Sequence, residues 1–99
     1  MKLNNGRKPI MWTVWEGGEG ERPYVGAVLA HRKGYEHDPY VVWSCASDDG
    51  INFDCFWGHY CQTIDQCVEP YLIKRQEGEA YAFKKIERYG YKGEEVKHV

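Results

Sequence analysis

The sequence predicts an α+β fold: an antiparallel four-stranded β-meander followed by one or two C-terminal helices packed on one face. Four segments rich in aromatic and β-branched residues are separated by turn-forming residues, which is typical of consecutive strands. The turn signal Asp48-Asp49-Gly50 joins the last two segments. A capping box then opens a stretch with apolar residues at helical spacing. The 99 residues are predicted to form one domain, 1–99.

Four strands are predicted from the aromatic and β-branched segments, at residues 10–15, 24–31, 40–46 and 51–57. The second strand contains Gly26, which indicates a bulge or the close approach of another backbone. Between the strands, residues 17–23 form a glycine-rich connector and residues 32–39 a polar loop.

The hairpin after the third strand is predicted to have a three-residue loop, with Gly50 in the left-handed conformation. This register pairs Ser47 with Ile51, Cys45 with Phe53, Trp43 with Cys55, and Val41 with Trp57. A two-residue loop would place Val42, Ser44 and Ala46 on that face instead. The first register buries more apolar surface, and burial normally sets strand register.

The helical region is predicted to start after Thr63, whose side chain forms a capping box with Gln66. An apolar stripe for the sheet follows at helical spacing: Ile64, Cys67, Val68, Tyr71 and Leu72. Pro70 is predicted to kink this helix or end it early. A second helical pattern covers residues 79–89, with strand as the alternative. It places Ala82, Phe83, Ile86 and Tyr89 on one side, with Gly90 as its C-cap and 91–99 as a frayed tail.

Composition limits the classes of function. The formal net charge is −2, and no Lys or Arg lies between Gly34 and Ile73, so direct nucleic-acid binding is not expected. No segment has the length and apolarity of a signal peptide or a membrane span. We therefore expect a cytoplasmic protein, in a host cytoplasm if a phage encodes it, with four reduced cysteines. No membrane partner is expected, and monomer and homodimer both remain open.

The cysteines are the candidate metal ligands. Zinc uses three or four thiolate or imidazole ligands, usually offered as close sequence pairs, and no close pair occurs here. The predicted fold still allows a site built from Cys45, Cys55, Cys61, Cys67 and His59. The alternative is that free cysteines pack as small apolar residues, with no cofactor. A Cys45–Cys55 disulfide is disfavoured, because the predicted register makes the two residues diagonal neighbours.

Catalytic residues are not predicted, and the chain is expected not to be an enzyme. His59, Cys61 and Asp65 are close in sequence, but no orienting third group or local signature surrounds the cysteine. His31 and His37 are equally well explained by a solvated loop. The glycines between residues 17 and 20 sit among acids, which would repel a phosphate.

An exposed aromatic patch is the alternative kind of site. If the sheet face opposite the helices keeps Met11, Trp15, Tyr40 and Phe56, it exposes an apolar surface rimmed by Asp54 and other acids. Such patches mark binding surfaces, in which Trp and Tyr are frequent anchors. Loops or the C-terminal segment could equally cover that face.

The chain resembles the small α+β accessory proteins of phages and prophages in its short length, high aromatic content and meander running into a helix near Gly58 to Gln66. The resemblance implies a non-enzymatic interaction protein that binds and blocks a host or defence protein. We expect contact with a basic partner surface through an acidic, aromatic-rich face. Its predicted residues are Tyr40, Asp48, Asp49, Asp54 and Phe56. A nucleotide-like small-ligand binder and a zinc-stabilised binding domain are the alternatives.

Overall fold

A computed structural model describes residues 1–17 and 22–89, apart from the Tyr89 side chain. The predicted connector is described at Gly17, Arg22 and Pro23, whereas Gly90 and the 91–99 tail lie outside the described residues. The elements are β1 (Lys2–Leu3), β2 (Lys8–Glu16), β3 (Tyr24–His31), β4 (Tyr40–Ser47), β5 (Asn52–Cys61) and α1 (Ile64–Tyr89). Within the described ranges, no helix is both long and apolar enough to cross a membrane.

The α+β class and the antiparallel meander of four strands are confirmed, but the sheet has a fifth strand. Its order is β1-β5-β4-β3-β2, and β1 pairs in parallel with β5 at Asn52 and Phe53. A strand of two residues is too short to show an alternation of apolar and polar residues, so the sequence did not predict β1.

The sheet curls around one of its faces. Side chains from all five strands meet there in a core that includes Leu3, Val14, Val28, Val41 and Phe53, and β1 approaches β2 across the curl. Trp43 and Cys45 are buried in the same inner core. This face therefore needs no helix to cover it, contrary to the prediction that the helix packs on the Cys45 side.

The helix packs on the outer face of the sheet instead. Cys67 and Tyr71 lie against Ala27, Leu29 and Val42, and Ala82 packs between Val25 and Ala46 farther along. Trp15, Tyr40 and Phe56 are half-buried at the margins of these contacts. The predicted exposed patch containing these aromatics is therefore the face that α1 partly covers.

The outer face of a curled sheet is convex, so α1 touches it along a narrow line. Cys67 and Tyr71 are buried, whereas Ile64, Val68 and Leu72 are each about half exposed. In the second half of the helix Ala82 is buried and Phe83 is 68% exposed. The predicted apolar stripe is therefore divided between a contact line and an open flank on the β2 side.

The helix start was predicted correctly, and of the one or two helices predicted, the described residues form one. The Gln66 backbone N–H donates to Thr63 Oγ1 at 3.4 Å, and Gln66 Oε1 accepts from the amides of Gln62 and Thr63, which completes the capping box. The helix then runs through Pro70 to residue 89 without ending. Proline removes one backbone donor, but burial of Cys67 and Tyr71 on both sides of it holds the segment helical.

Two glycines let α1 and β2 approach β3 closely. A Cβ on Gly26 would lie 2.0 Å from the Thr13 carbonyl oxygen, and a Cβ on Gly78 would lie 3.3 Å from the Gly26 Cα. The predicted close backbone approach at Gly26 is confirmed. Gly78, which weakens the helix by propensity, is explained by the same crossing point.

The hairpin register differs from the prediction by two residues. Cys45 pairs with Cys55, and Ala46 with Asp54. Gly50 has the predicted left-handed conformation, with φ of 77°. The register shifts because the Asp49 carboxylate accepts from the Ile51 and Asn52 amides at 2.8 Å, which lengthens the turn. A shift of two keeps Phe53 and Cys55 on their predicted face, up to a further irregularity in the pairing between Val42 and Ser44.

Candidate functional site

A groove runs between the second half of β5 and one flank of α1, and we call it the β5–α1 groove. Its volume is about 610 Å³. It is lined from β5 by Trp57, Gly58 and His59, and from α1 by Asp65, Gln66, Glu69, Pro70, Ile73, Lys74 and Glu77. Three carboxylates face one lysine among these residues, so the groove is acidic.

Trp57 stands at the centre of this site because β5 bulges there. The pairing of β4 with β5 shifts between Val42 and Ser44, and Trp57 has a φ of 54°. A bulky residue in this region is a backbone outlier that costs about 1–3 kcal/mol. The Trp57 ring is 76% exposed, the largest exposure among the large apolar side chains described.

The bulge aims the Trp57 side chain over the groove, whereas the sequence placed it in the apolar core. Its ring lies edge-on to Phe56, with centroids 5.0 Å apart and an interplanar angle of 90°. The adjacent Gly58 is required, because a Cβ there would lie 2.7 Å from Trp43 Nε1. A strained backbone that holds an indole ring exposed to solvent is typical of a binding site.

A second cavity of about 380 Å³ adjoins the groove, and we call it the anchor pocket. Its apolar part is lined by Val25, Gly26, Ala46, Phe56, Gly78 and Tyr81. Trp57, Lys74 and Glu77 line both the groove and the pocket, so the two form one continuous surface.

The acidic residues of the groove follow a sequence pattern that the predictions did not include. Asp65, Glu69, Ile73 and Glu77 are spaced four residues apart, which places them along one flank of a helix. The assumption that Pro70 interrupts the helix hid this spacing. Asp65 also lies in the first turn of α1, where a negative charge stabilises the helix by interacting with its dipole.

The predicted contact residues are not one surface. Tyr40 and Ser47 are at opposite ends of β4, about 24 Å apart at 3.4 Å per residue. Asp48 follows Ser47 directly, so Tyr40 lies far from the acids of the hairpin tip. Tyr40 packs against the helix-side core and meets the His31 ring edge-on at 5.6 Å. Phe56 is the one predicted residue that lines the anchor pocket.

The predicted acids at the hairpin tip have structural partners. Arg22 lies 3.2 Å from Asp48 Oδ1 and 2.8 Å from Asp54 Oδ2. Asn4 donates to Asp54 at 2.6 Å, and this bond together with Arg22 holds the pKa of Asp54 below its usual value. The Arg22 carbonyl in turn accepts from the buried Lys85 at 2.9 Å.

Asp49 closes the turn with its carboxylate. Hydrogen bonds from the Asn52 side chain and amide, with others from Ile51 and Ser47, hold the pKa of Asp49 well below its usual value. We expect Asp49→Ala to lower the urea midpoint of unfolding clearly more than Asp48→Ala, since Asp48 contributes one exposed ion pair.

The pH dependence of that difference follows from the lowered pKa. An unfolded aspartate titrates at about pH 3.9, so the contribution of Asp49 is complete above about pH 5 and is lost as the pH falls below about 4. Unfolding midpoints of both variants across this range check the prediction. Equal midpoints at neutral pH would contradict the role given to the Asp49 carboxylate.

The candidate zinc ligands lie in two pairs on opposite faces of the sheet. Cys45 and Cys55 face each other on the inner side, directly rather than diagonally as predicted, and Cys61 contacts Cys67 beneath the helix. His59 is exposed in the groove. Residues 1–17 and 22–89 contain no cluster of three groups suited to a metal ion. The described structure therefore does not bring the candidate zinc ligands together at one point.

The residues considered for catalysis, His59, Cys61 and Asp65, have different surroundings in the structure. The Cys61 thiol is buried and donates to the His59 carbonyl at 3.9 Å, so this bond uses the backbone of His59 and not its imidazole. Asp65 and the exposed His59 line the groove. This arrangement shows no orienting contact of the kind that activates a cysteine nucleophile.

Burial suppresses the reactivity of three thiols. It is the main cause that raises the pKa of Cys45 and of Cys67 to about 12, and that of Cys55 to about 11. We expect a thiol-reactive probe at about pH 8 to label these cysteines at least about 100-fold more slowly in the folded chain than in urea. Rapid labelling of one of them in the folded chain would contradict their burial.

No protein-family model, no curated protein and no solved structure matches the chain.

Proposed function

We propose that this chain is a non-enzymatic interaction protein that binds another protein through the β5–α1 groove. The observation that carries the proposal is Trp57, held at a strained φ of 54° and 76% exposed above an acidic groove. Binding hot spots are enriched in tryptophan, tyrosine and arginine, and such residues are surrounded by groups that exclude water.

The charges of the groove favour a basic partner surface. Asp65, Glu69 and Glu77 outnumber Lys74, and complementary charge accelerates diffusional encounter. The resemblance to phage accessory proteins supports a host or defence protein as the partner, inside the cell, with binding that blocks the partner's own surface. This role requires no metal and no catalytic group.

Charge reversal in the groove tests the electrostatic part of the proposal. A partner would first be captured from a host lysate with the wild-type chain. We expect Glu69→Lys and Glu77→Lys each to slow association with that partner by about tenfold at low ionic strength. The difference should shrink as salt is added, because exposed charges are screened over about 10 Å at 0.1 M salt. Association rates can be measured by surface plasmon resonance.

Glu79→Lys is the matched control for these variants. Glu79 follows Leu72 by seven residues, so it lies on the opposite flank of α1. The Glu79→Lys substitution changes the net charge by the same amount as the other two, and we expect it to leave the association rate nearly unchanged. Equal slowing by all three variants would mean that net charge alone acts, which would contradict a docking site in the groove.

A second candidate function is the binding of a nucleotide-like small molecule, which the anchor pocket favours. Its volume of about 380 Å³ lies within the usual range of ligand sites, about 300–1,000 Å³. The carboxylates beside its mouth disfavour a phosphate. A change in tryptophan fluorescence on adding a nucleotide, without any partner protein, would support this candidate over the first.

A further inference from the structure

We propose that the anchor pocket receives an aromatic side chain of the partner, and that an adjacent arginine of the same segment lies in the β5–α1 groove. This inference rests on the proposed function and specifies the chemistry that the site recognises. The recognised element is a short segment that carries a phenylalanine-like ring next to a guanidinium.

The shape and lining of the pocket favour a flat apolar group. One wall is the outer face of the sheet at Val25 and Ala46, and the opposite wall is α1 at Gly78 and Tyr81. The two elements touch at Gly26 and Gly78, since a Cβ on Gly78 would lie 3.3 Å from the Gly26 Cα. Both glycines line the pocket, so the space for a ring lies beside this contact and not between the two glycines.

Aromatic partners for such a ring are already in position. Phe56 is half-buried in the wall, Trp57 stands edge-on to it at 5.0 Å, and Tyr81 is 47% exposed at the mouth. Edge-to-face and offset contacts between rings contribute about 0.5–1.5 kcal/mol beyond the burial of their area. We therefore expect the pocket to bind an aromatic ring more tightly than an aliphatic group of similar size.

The charged residues of the pocket leave its apolar part close to neutral. At one end Arg22 is paired with both Asp48 and Asp54. At the other end, where the pocket joins the groove, Lys74 and Glu77 both belong to the shared lining and carry opposite charges. An uncharged ring is therefore the occupant that this interior fits.

The groove next to the pocket fits a cation. Glu69 and Asp65 continue the row of carboxylates from Glu77 along α1, and the exposed indole of Trp57 lines the same groove. Arginine combines a planar cation for stacking on an aromatic ring with a fork of donors for carboxylates. Because Trp57 borders both sites, the ring and the guanidinium must come from neighbouring residues of the partner.

Capped dipeptides test this inference without the partner protein. Acetyl-Phe-Arg-amide would be titrated into the ¹⁵N-labelled chain, with acetyl-Ala-Arg-amide and acetyl-Phe-Glu-amide as matched probes. We expect the first to shift the amides of Gly26 and Gly78 and the indole N–H of Trp57. The other two probes should bind at least about tenfold more weakly. Equal binding of all three, or shifts confined to other surfaces, would overturn the inference.

Two variants locate the effect. Ser44→Leu adds a side chain to the half-buried wall of the pocket and should abolish the Phe-Arg shifts. Leu72→Ala removes an exposed side chain from the opposite flank of α1 and should leave them unchanged. The same shifts in both variants would contradict binding in the pocket.

The outcome also separates this inference from the proposed function. If no dipeptide shifts these resonances while a partner protein still depends on Trp57, the groove is a docking site and the aromatic-arginine recognition is wrong. If the partner protein does not depend on Trp57 either, the proposed function fails as well.

Discussion

Replacing Gly26 by alanine is expected to destabilise the fold by about 3 kcal/mol or more, enough to unfold a domain of this size. The new Cβ would lie 2.0 Å from the Thr13 carbonyl oxygen and 3.0 Å from the Val14 Cα. Both atoms belong to the backbone of β2, which pairs with β3 at this position, so neither can move as a flexible side chain would. The free energy of unfolding in urea measures the effect.

Gly6→Ala is the informative comparison for Gly26→Ala. Gly6 has a φ of 77° and no atom within 4 Å of the Cβ position. Alanine at this position lowers the free energy of unfolding only through its left-handed backbone, by about 1–2 kcal/mol. We expect Gly26→Ala to cost clearly more. If the two variants are equally stable, the close approach of β2 to β3 is wrong.

Replacing Trp57 by glycine is expected to remove most of the partner affinity without destabilising the chain. Truncating a hot-spot tryptophan costs about 2 kcal/mol or more of binding free energy, which is a loss of about 30-fold or more. The ring is 76% exposed, so the fold loses little buried surface, and glycine accepts the φ of 54° without strain.

Two measurements check this prediction: the Kd for the partner recovered with the wild-type chain, and the urea midpoint. We expect the first to rise and the second to stay level or increase. Trp12→Ala serves as a control, because Trp12 is 45% exposed on β2, at the other edge of the sheet. A Trp57→Gly variant that binds like wild type would remove the central anchor from the proposal.

Much of the fold followed from local signals in the sequence. The four long strands, the left-handed Gly50 and the capping box at Thr63 each depend on residues within a few positions, and a glycine inside a strand pattern was enough to predict the close approach at Gly26. Local chemistry of this kind is readable because propensity, turn geometry and capping act over short distances.

The remaining features depend on contacts between distant residues. The curl of the sheet requires β1 to meet β5 across 50 residues of sequence, and it decided which face the helix covers. The hairpin register was set by the Asp49 side chain, which competes with strand pairing for the amides of Ile51 and Asn52. Periodicity alone does not weigh such hydrogen bonds.

The candidate site was the least predictable part. Alternation placed Trp57 in the core, and a single bulge turned it outward. The acids at the hairpin tip read as an open surface, but Arg22 and the turn itself pair with them. The acids of the groove were visible at a spacing of four residues, and the expected break at Pro70 concealed them.

Hydrogen exchange of the chain, free and bound to its partner, tests the central claim most directly. If the groove is the docking site, binding should slow exchange in residues 55–61 and 65–78. Residues 47–51 at the hairpin tip and 8–13 on β2 should be unchanged. Protection confined to the hairpin tip or to β2, with none along the groove, would contradict the proposal.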